Sequence, residues 1–553
     1  MIVNTSSLAL QYSHISWDIC IIGSGFAGMT LALQLVKTNP EYKIALIDSG
    51  IQKFDSDIQE LSDLANSPPN HAAMDIAVRR QVGGTSAIWG GRCLPYDEID
   101  FLSRSHVEHS GWPIEYSDLF SYLPDACAQL FCGKPVFQVD NNPSLCEDWL
   151  DGDILATSIE RWSLPVNLGK QFFNTIKQAH NIYLFTGFTC VYLIYDTFNK
   201  SVSAIKLKNL DGFSFDLSAC DFIIAAGGLE STRLLMYSNQ VNHYPAGNNS
   251  GFLGRFYQGH LSGKIADITF FGASEKTIYD FEKDEDLVYI RRRFTISNKL
   301  ASEQNLLNFA AWLDNPEIAD PNHGNAVLSA AYLALLTPVL STYLAPAAVR
   351  FSILKNVKNK FIFAHFSNIL LRFFSTLFFC LKFIYKRYFC YRKLPGFFVF
   401  SRDNRYALHY HAEQTPNFNS YVCLSDKLDA LGVNKLEVFL SYTDQDIESV
   451  IKSHDVLANW LCNHHIGKLS YRSEDLPALI KQQAQDGIHQ IGTTRMSTDH
   501  TNGVVDINCR VYGLSNVYIC SSSVFPTSSQ ANPTLTIVCL ALRLADFLSK
   551  RNT

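Results

Sequence analysis

The first strong pattern along the chain is the apolar run Asp18 to Ile22, followed at once by Gly23-Ser24-Gly25-Phe26-Ala27-Gly28 and then by helical composition from Met29 to Lys37. A short continuous apolar run rich in isoleucine predicts a strand buried on both faces, as in a parallel sheet. A second such run, Lys43 to Ile47, ends in Asp48, 20 residues beyond Gly28. Together these predict a βαβ unit over 18–50. The order strand, glycine turn and helix returns at Phe222 to Leu235, and an apolar helix closes the chain through Leu548.

The middle of the chain patterns differently. Residues 325–349 hold no charged side chain, although Pro338 and Pro346 interrupt them, and Phe361 to Lys393 is apolar and basic. Arg372 and Lys382 bracket an uncharged stretch of nine that begins Phe373-Phe374-Ser375, against the roughly 20 residues needed to cross a bilayer. Two readings remain open. One is a buried helix pair covering a functional pocket; the other is an interfacial helix with its basic residues toward lipid headgroups.

Composition narrows the class. A chain of 553 residues suggests two domains, which can interleave. With 47% hydrophobic and 18% charged residues it has material for a large core, which excludes a disordered chain. The net charge of -6 gives no reason to expect nucleic acid as a partner. Fourteen cysteines are scattered without a CxxC pair, so free thiols are expected, with neither a disulfide framework nor a metal site. The N-terminus has no basic, apolar leader and the C-terminal LSKRNT matches no lipidation or sorting signal. A cytoplasmic protein is expected, with peripheral membrane association through 361–393 as the alternative.

Each part of the βαβ unit has a physical task in dinucleotide binding. Gly23 permits the tight turn, Gly25 lets the backbone approach a pyrophosphate, and Gly28 lets the helix pack closely on the strand. Phe26 and Ala27 lead into the helix, whose N-terminus offers free N–H groups and a partial positive charge. Asp48 can accept from a ribose hydroxyl. This motif alone does not separate NAD from FAD.

Three further segments bear on that choice. They are Arg80 to Arg92, with Gly83-Gly84-Thr85-Ser86 at its centre and Gly90-Gly91 near its end; Phe222 to Leu235; and the ordered block His489-Gln490-Ile491-Gly492-Thr493-Thr494-Arg495-Met496, Gly503 to Asp506, Arg510 to Gly513, Ser523 to Thr527 and Ala531-Asn532-Pro533-Thr534. The chain in these segments resembles the glucose–methanol–choline (GMC) oxidoreductases, nearest in the C-terminal block to the pyranose-oxidase-like members. The resemblance implies an α/β plus α+β fold: a Rossmann-like FAD-binding domain on a parallel sheet, interleaved with a substrate domain of antiparallel sheet and helices. The expected division is 15–115, 181–260 and 481–553 for the first, and 116–180 with 261–480 for the second.

The resemblance also implies a set of roles. FAD would be held by the residues of the first motif, by Gly83, Gly84, Thr85, Ser86, Gly90, Gly91, Val191, Ala226, Gly227, Ser521 and Ser522, and by Asn532, Pro533 and Thr534. Ile88 stands where some members attach FAD through histidine, so a non-covalent flavin is expected. Ser521 stands where many members carry an acid. His489 would be the base that takes the hydroxyl proton of an alcohol or sugar-like substrate, with Asn532 as its partner; Asn532-Pro533 also reads as a helix N-cap and first helical position. His260 is read as structural, at the edge of the active site, and the strand pattern from Tyr406 to Ala412 leaves the facing of His409 and His411 open. The electron acceptor is unassigned. The competing functions are an NAD-dependent dehydrogenase, opposed by the flavin-type segments, and a non-catalytic flavin-binding protein at a membrane surface, opposed by the intact His489/Asn532 pair.

Overall fold

The computed structural model describes residues 1–139, 152–163, 167–272, 279–345, 350, 353–354, 361–370, 372–401 and 403–551. Pro346 and Leu371 lie outside the described residues. The apolar run near the N-terminus forms the strand Trp17–Ile22, and the second run forms Ile44–Asp48. They pair in parallel, with Ile22 opposite both Ile47 and Ile224. Four more strands complete a six-stranded parallel sheet in the spatial order Ile2–Val3, Ile182–Thr186, Ile44–Asp48, Trp17–Ile22, Ala219–Ile224 and Val517–Ile519. The last strand joins the edge from the far end of the chain, with Ile519 opposite Ile224. Helices Phe26–Thr38 and Thr534–Arg551 pack on each other over this sheet. Nearly every inward residue is an aliphatic at or near zero exposure, and full burial of each such side chain contributes roughly 2 kcal/mol.

Helix Phe26–Thr38 begins inside the glycine motif, three residues before the expected start at Met29. The cause is Gly28. A Cβ there would stand 1.8 Å from the Gly23 carbonyl oxygen, so only glycine lets the first turn sit against the strand it follows.

The second layer is a six-stranded antiparallel sheet in the order Gly467–Tyr471, His260–Phe270, Arg405–Glu413, Phe309–Asp314, Phe294–Ile296 and Ile154–Leu155. Along Arg405–Glu413, Leu408, Tyr410 and Ala412 face a second core shared with Leu457 and Trp460 of helix Asp444–Asn463. Alternation therefore turns His409, His411 and Glu413 to the opposite face. There Glu413 is clamped by both terminal nitrogens of the buried Arg104, at 2.7 and 2.5 Å, and accepts from the Asn308 N–H at 3.0 Å.

One buried titratable group in this second core makes the fold acid-sensitive. His454 donates through Nδ1 to the Val450 carbonyl at 2.7 Å and packs between Phe309 and Tyr410. Burial pushes its pKa down to about 4. The unfolded chain binds this proton near 6.5, so the stability is present above 6.5 and is lost as pH falls toward 4, by about 3 kcal/mol in all. His454→Phe should show a shallower fall of Tm between pH 6.5 and 4.5 than the unchanged chain. Equal slopes would show that this ring is not the sensor.

The basic, apolar middle region forms two bent helix pairs, Ala326–Leu335 with Pro338–Leu344 at 116° and Ile362–Leu370 with Phe373–Phe389 at 97°. No single helix among the described residues is long and apolar enough to cross a membrane. The buried-pair reading is overturned, because Phe363 is 90% and Phe374 84% exposed. What the Ile362–Leu370 and Phe373–Ile384 helices bury instead is polar, His365 and Thr376, whereas Ala326–Leu335 turns Leu328, Tyr332 and Leu335 inward.

Candidate active site

A crevice opens at the carboxyl ends of the parallel strands, where such sheets take their ligands. Of the expected dinucleotide residues, Gly23, Gly25, Phe26, Ala27, Asp48, Gly84, Thr85, Val191, Ala226, Gly227, Ser521 and Ser522 line it. A Cβ at Gly25 or at Gly227 would meet nothing within 4 Å, so both backbones face open space beside a helix start. That is the cradle a pyrophosphate needs. Asp48 is buried and holds the glycine loop closed: its Oδ2 accepts from the Ser24 N–H at 3.0 Å and from the Ser24 hydroxyl, and its Oδ1 from the Gly50 N–H at 2.7 Å. Burial raises its pKa and those hydrogen bonds oppose the rise. A carboxylate has about four acceptor positions, which leaves one for a ribose hydroxyl.

Other expected residues stand outside the crevice. Gly28 is the packing contact described above. Gly83 is buried against Gly169, and Ser86 ties that loop by donating to the Gly83 carbonyl at 2.6 Å while accepting from the Leu168 N–H at 2.9 Å. Gly90 is exposed, and the Gly91 carbonyl accepts from the Ser163 N–H at 2.7 Å. Pro533 and Thr534 begin the last helix, with the Pro533 carbonyl accepting the first helical N–H, from Ile537, at 2.8 Å. The helix thus starts one residue later than an Asn532 N-cap would place it.

Sequence reasoning missed a charged wall. Arg80 Nε reaches Ser62 at 2.6 Å, Nη1 reaches Ser49 at 3.0 Å and Nη2 pairs with Glu230 at 2.5 Å. Arg233 pairs with Asp429 at 2.6 Å and donates to the Leu61 and Asn434 carbonyls, both at 2.8 Å. These bonds bring Asp429 and Val433 into the crevice lining from a stretch expected to belong to the substrate domain. The only sequence signal was the pair Glu230 and Arg233, one helical turn apart after Gly227 and Gly228.

A second cluster forms where the two sheets meet. His489 Nε2 lies 2.9 Å from Asn532 Nδ2. Asn532 Oδ1 is buried with no hydrogen-bond partner among the described residues, which costs roughly 1–3 kcal/mol unless a ligand donor meets it. On the other edge of the ring, His489 Nδ1 lies 3.0 Å from His260 Nδ1 and 3.4 Å from Asp486 Oδ2. His260 is therefore not at the edge of the site but against the expected base, a correction to the sequence reading. Its backbone N–H donates to Asp486 Oδ2 at 2.7 Å, and its Nε2 lies 3.2 Å from the Ser528 carbonyl. His411 stacks on His260 at 4.2 Å and donates through Nδ1 to the Gln530 carbonyl at 2.6 Å. His409 stands apart, between Ser262 at 3.0 Å and Asp314 at 3.2 Å.

Hydrogen-bond accounting sets the protons. The Ser528 carbonyl can only accept, so His260 carries its hydrogen on Nε2 and leaves Nδ1 as an acceptor. His489 then donates from Nδ1 toward His260 and Asp486, and its Nε2 lone pair faces Asn532. Burial lowers the pKa of His260, with Asp486 opposing, and lowers that of His411 well below the usual range, with His260 adding to the effect. Burial opposes charge on Asp486 too, but the His489 and His260 rings outweigh it and hold the carboxyl well below 3.8. The result is two neutral rings and one fixed negative charge behind His489.

The ring nitrogens of His260, His411 and His489 all lie within 4.8 Å of one another, a spacing that could hold a metal ion. A proton shared between His489 Nδ1 and His260 Nδ1 accounts for their 3.0 Å approach without one.

Residues 416–541, which include His489 and Asn532, match the family model described as GMC oxidoreductase. A dehydrogenase of Armillaria gallica is 42% identical over 62 residues, 11% of this chain and 10% of that protein. A long-chain-alcohol oxidase of Arabidopsis thaliana is 33% identical over 67 residues, 11% of this chain and 9% of that protein. The matches thus span about a tenth of these curated relatives. Among solved structures, an FAD-dependent oxidoreductase from Chaetomium thermophilum superposes with a TM-score of 0.53 at 15% identity, covering 97% of this chain and all of that one. Pyridoxine 4-oxidase from Mesorbium loti gives 0.50 at 15% identity, covering 96% and 99%. A fungal aryl-alcohol oxidase gives 0.50 at 15%, covering 97% and 99%. The chain carries a GMC oxidoreductase C-terminal domain, residues 416–541, on a fold shared with these oxidoreductases.

Proposed function

We propose that this protein is an FAD-dependent oxidoreductase that oxidises a CH–OH carbon of an alcohol or sugar-like substrate, with His489 as the base. The observation that carries the reading is the His489/Asn532 pair, an imidazole Nε2 that accepts from the Asn532 amide beside a buried amide oxygen that lacks a donor. The parts assigned to FAD are 15–115, 181–260 and 481–553, whose glycine cradle and Asp48 suit a dinucleotide.

Bound flavin would supply the two-electron acceptor for the hydride leaving carbon. The protein's own residues would manage the other half of the reaction. A substrate hydroxyl entering beside Asn532 would give its one proton to His489 Nε2, and a neighbouring donor of the substrate would fill the empty bond at Asn532 Oδ1. The amide N–H₂ would shift from the ring to the substrate oxygen and fix its orientation. As His489 gains the proton, the negative charge of Asp486, 3.4 Å from Nδ1, stabilises the imidazolium.

The purified protein should show flavin bands under anaerobic conditions that bleach when pooled alcohols and sugars are added. Acid precipitation should release the flavin to the supernatant, because Ile88 offers no atom for a covalent link. Flavin that stays with the pellet would refute the non-covalent reading. Bands that no alcohol or sugar bleaches would move the protein to a non-catalytic flavin-binding role.

A further inference from the structure

We propose that the helices between Ala326 and Phe389 form a docking surface for the anionic face of a lipid bilayer. In the two phenylalanine-rich helices, Ile362–Leu370 and Phe373–Ile384, the amphipathicity runs inside out. Helix Ile362–Leu370 fastens to the body by its polar side: His365 bonds the Ser329 hydroxyl at 3.0 Å and the Ala319 carbonyl at 3.3 Å, and Asn368 donates to the Pro321 carbonyl at 2.9 Å. Phe363, Phe366 and Leu370 are left facing out. In helix Phe373–Ile384 the buried side chain is Thr376, while Phe374, Leu377 and Phe378 are exposed. The two helix pairs are joined where the Tyr388 hydroxyl donates to the Tyr343 carbonyl, so the exposed Val339 and Tyr343 extend the same patch.

A water-facing surface built this way is rare in a soluble monomer, and contiguous exposed apolar patches mark interaction sites. Charge selects the occupant. Between Asp320 and Asp403 the sequence holds eleven lysines and arginines and no aspartate or glutamate. Arg372, Lys382 and Lys386 are exposed among the phenylalanines. Apolar side chains that enter the acyl boundary, flanked by cations that stay at headgroup level, are the signature of a helix lying in one leaflet. The bends of 97° and 116° suit lying on the surface, since a spanning helix must run on through the hydrocarbon.

The test is flotation of the full chain with phosphatidylcholine vesicles, with and without phosphatidylserine, at moderate salt. The protein should rise with the anionic vesicles and bind the neutral ones at least 10-fold more weakly. The variant Arg372→Glu/Lys382→Glu/Lys386→Glu should lose roughly 100-fold in partition, taking about 5-fold for each basic residue removed. Phe363→Ser/Phe374→Ser/Phe378→Ser should fail to float while keeping the circular dichroism of the parent. A wild-type chain that stays at the bottom with anionic vesicles overturns the proposal, as does equal binding by the charge-reversed variant. A dimer in light scattering that the serine variant abolishes, without flotation of the wild type, would assign the face to a second copy instead.

Discussion

His489→Ala should lower the rate of anaerobic flavin reduction by about 10²-fold or more, with the flavin still bound. An alcohol proton is not lost unaided near neutral pH, and among the described residues His489 Nε2 is the acceptor placed against the Asn532 amide nitrogen, next to its unpartnered oxygen. His260 cannot substitute, because its Nε2 is directed at the Ser528 carbonyl. The ring is partly exposed and its removal leaves the parallel-sheet core untouched, so the visible spectrum of the variant should match that of the parent. Stopped-flow mixing with a reducing substrate separates the outcomes. A rate within a few-fold of wild type would remove His489 from the chemistry and leave Asn532 as a mere packing residue.

Asp486→Asn should lower kcat by about 10²-fold with little change in KM, the signature of losing an interaction that grows as the proton transfers. Asp486 does two jobs. Its Oδ1 accepts the Ile488 and His489 backbone N–H groups at 2.9 and 3.0 Å and so shapes the turn that presents the ring. Its Oδ2 lies against both ring Nδ1 atoms. Asparagine could keep the first job through its oxygen but would turn an N–H₂ toward the His260 backbone N–H and the His489 ring. That favours the tautomer with the proton on Nε2, where it blocks the substrate. The pH profile of kcat should shift along with the rate, since the imidazolium loses its counter-charge; an unchanged profile with unchanged kcat would show that the carboxylate only braces the turn.

Much of this was legible in the chain because it is local. The first βαβ unit and the Gly227 turn are each contained in a few tens of residues, and each formed over the stretch its pattern marked. The helix start at Phe26 was missed because the carbonyl that excludes a side chain at Gly28 becomes visible only once strand and helix are packed. His260 and His411 could not be placed for a different reason. Their meeting depends on the pairing of His260–Phe270 with Arg405–Glu413 across about 150 residues, where a slip of one position would turn His411 away. The phenylalanine-rich helices were ambiguous in the sequence because composition does not say which face a helix presents. The deciding residues were polar ones, His365 and Asn368, whose partners Ser329 and Pro321 lie some 40 positions earlier.

The edge strand Val517–Ile519 has a consequence for how the protein is made in the cell. Its neighbour, Ala219–Ile224, leaves the ribosome almost 300 residues sooner. At about 5–20 residues per second the nascent chain waits on the order of tens of seconds with that edge unpaired. An apolar parallel edge left open so long is a template for mispairing with other chains. The final helix, Thr534–Arg551, which packs on Phe26–Thr38, arrives later still. Synthesis should therefore depend on holding chaperones, and a premature stop anywhere before residue 517 would yield an aggregating fragment in place of a smaller working enzyme.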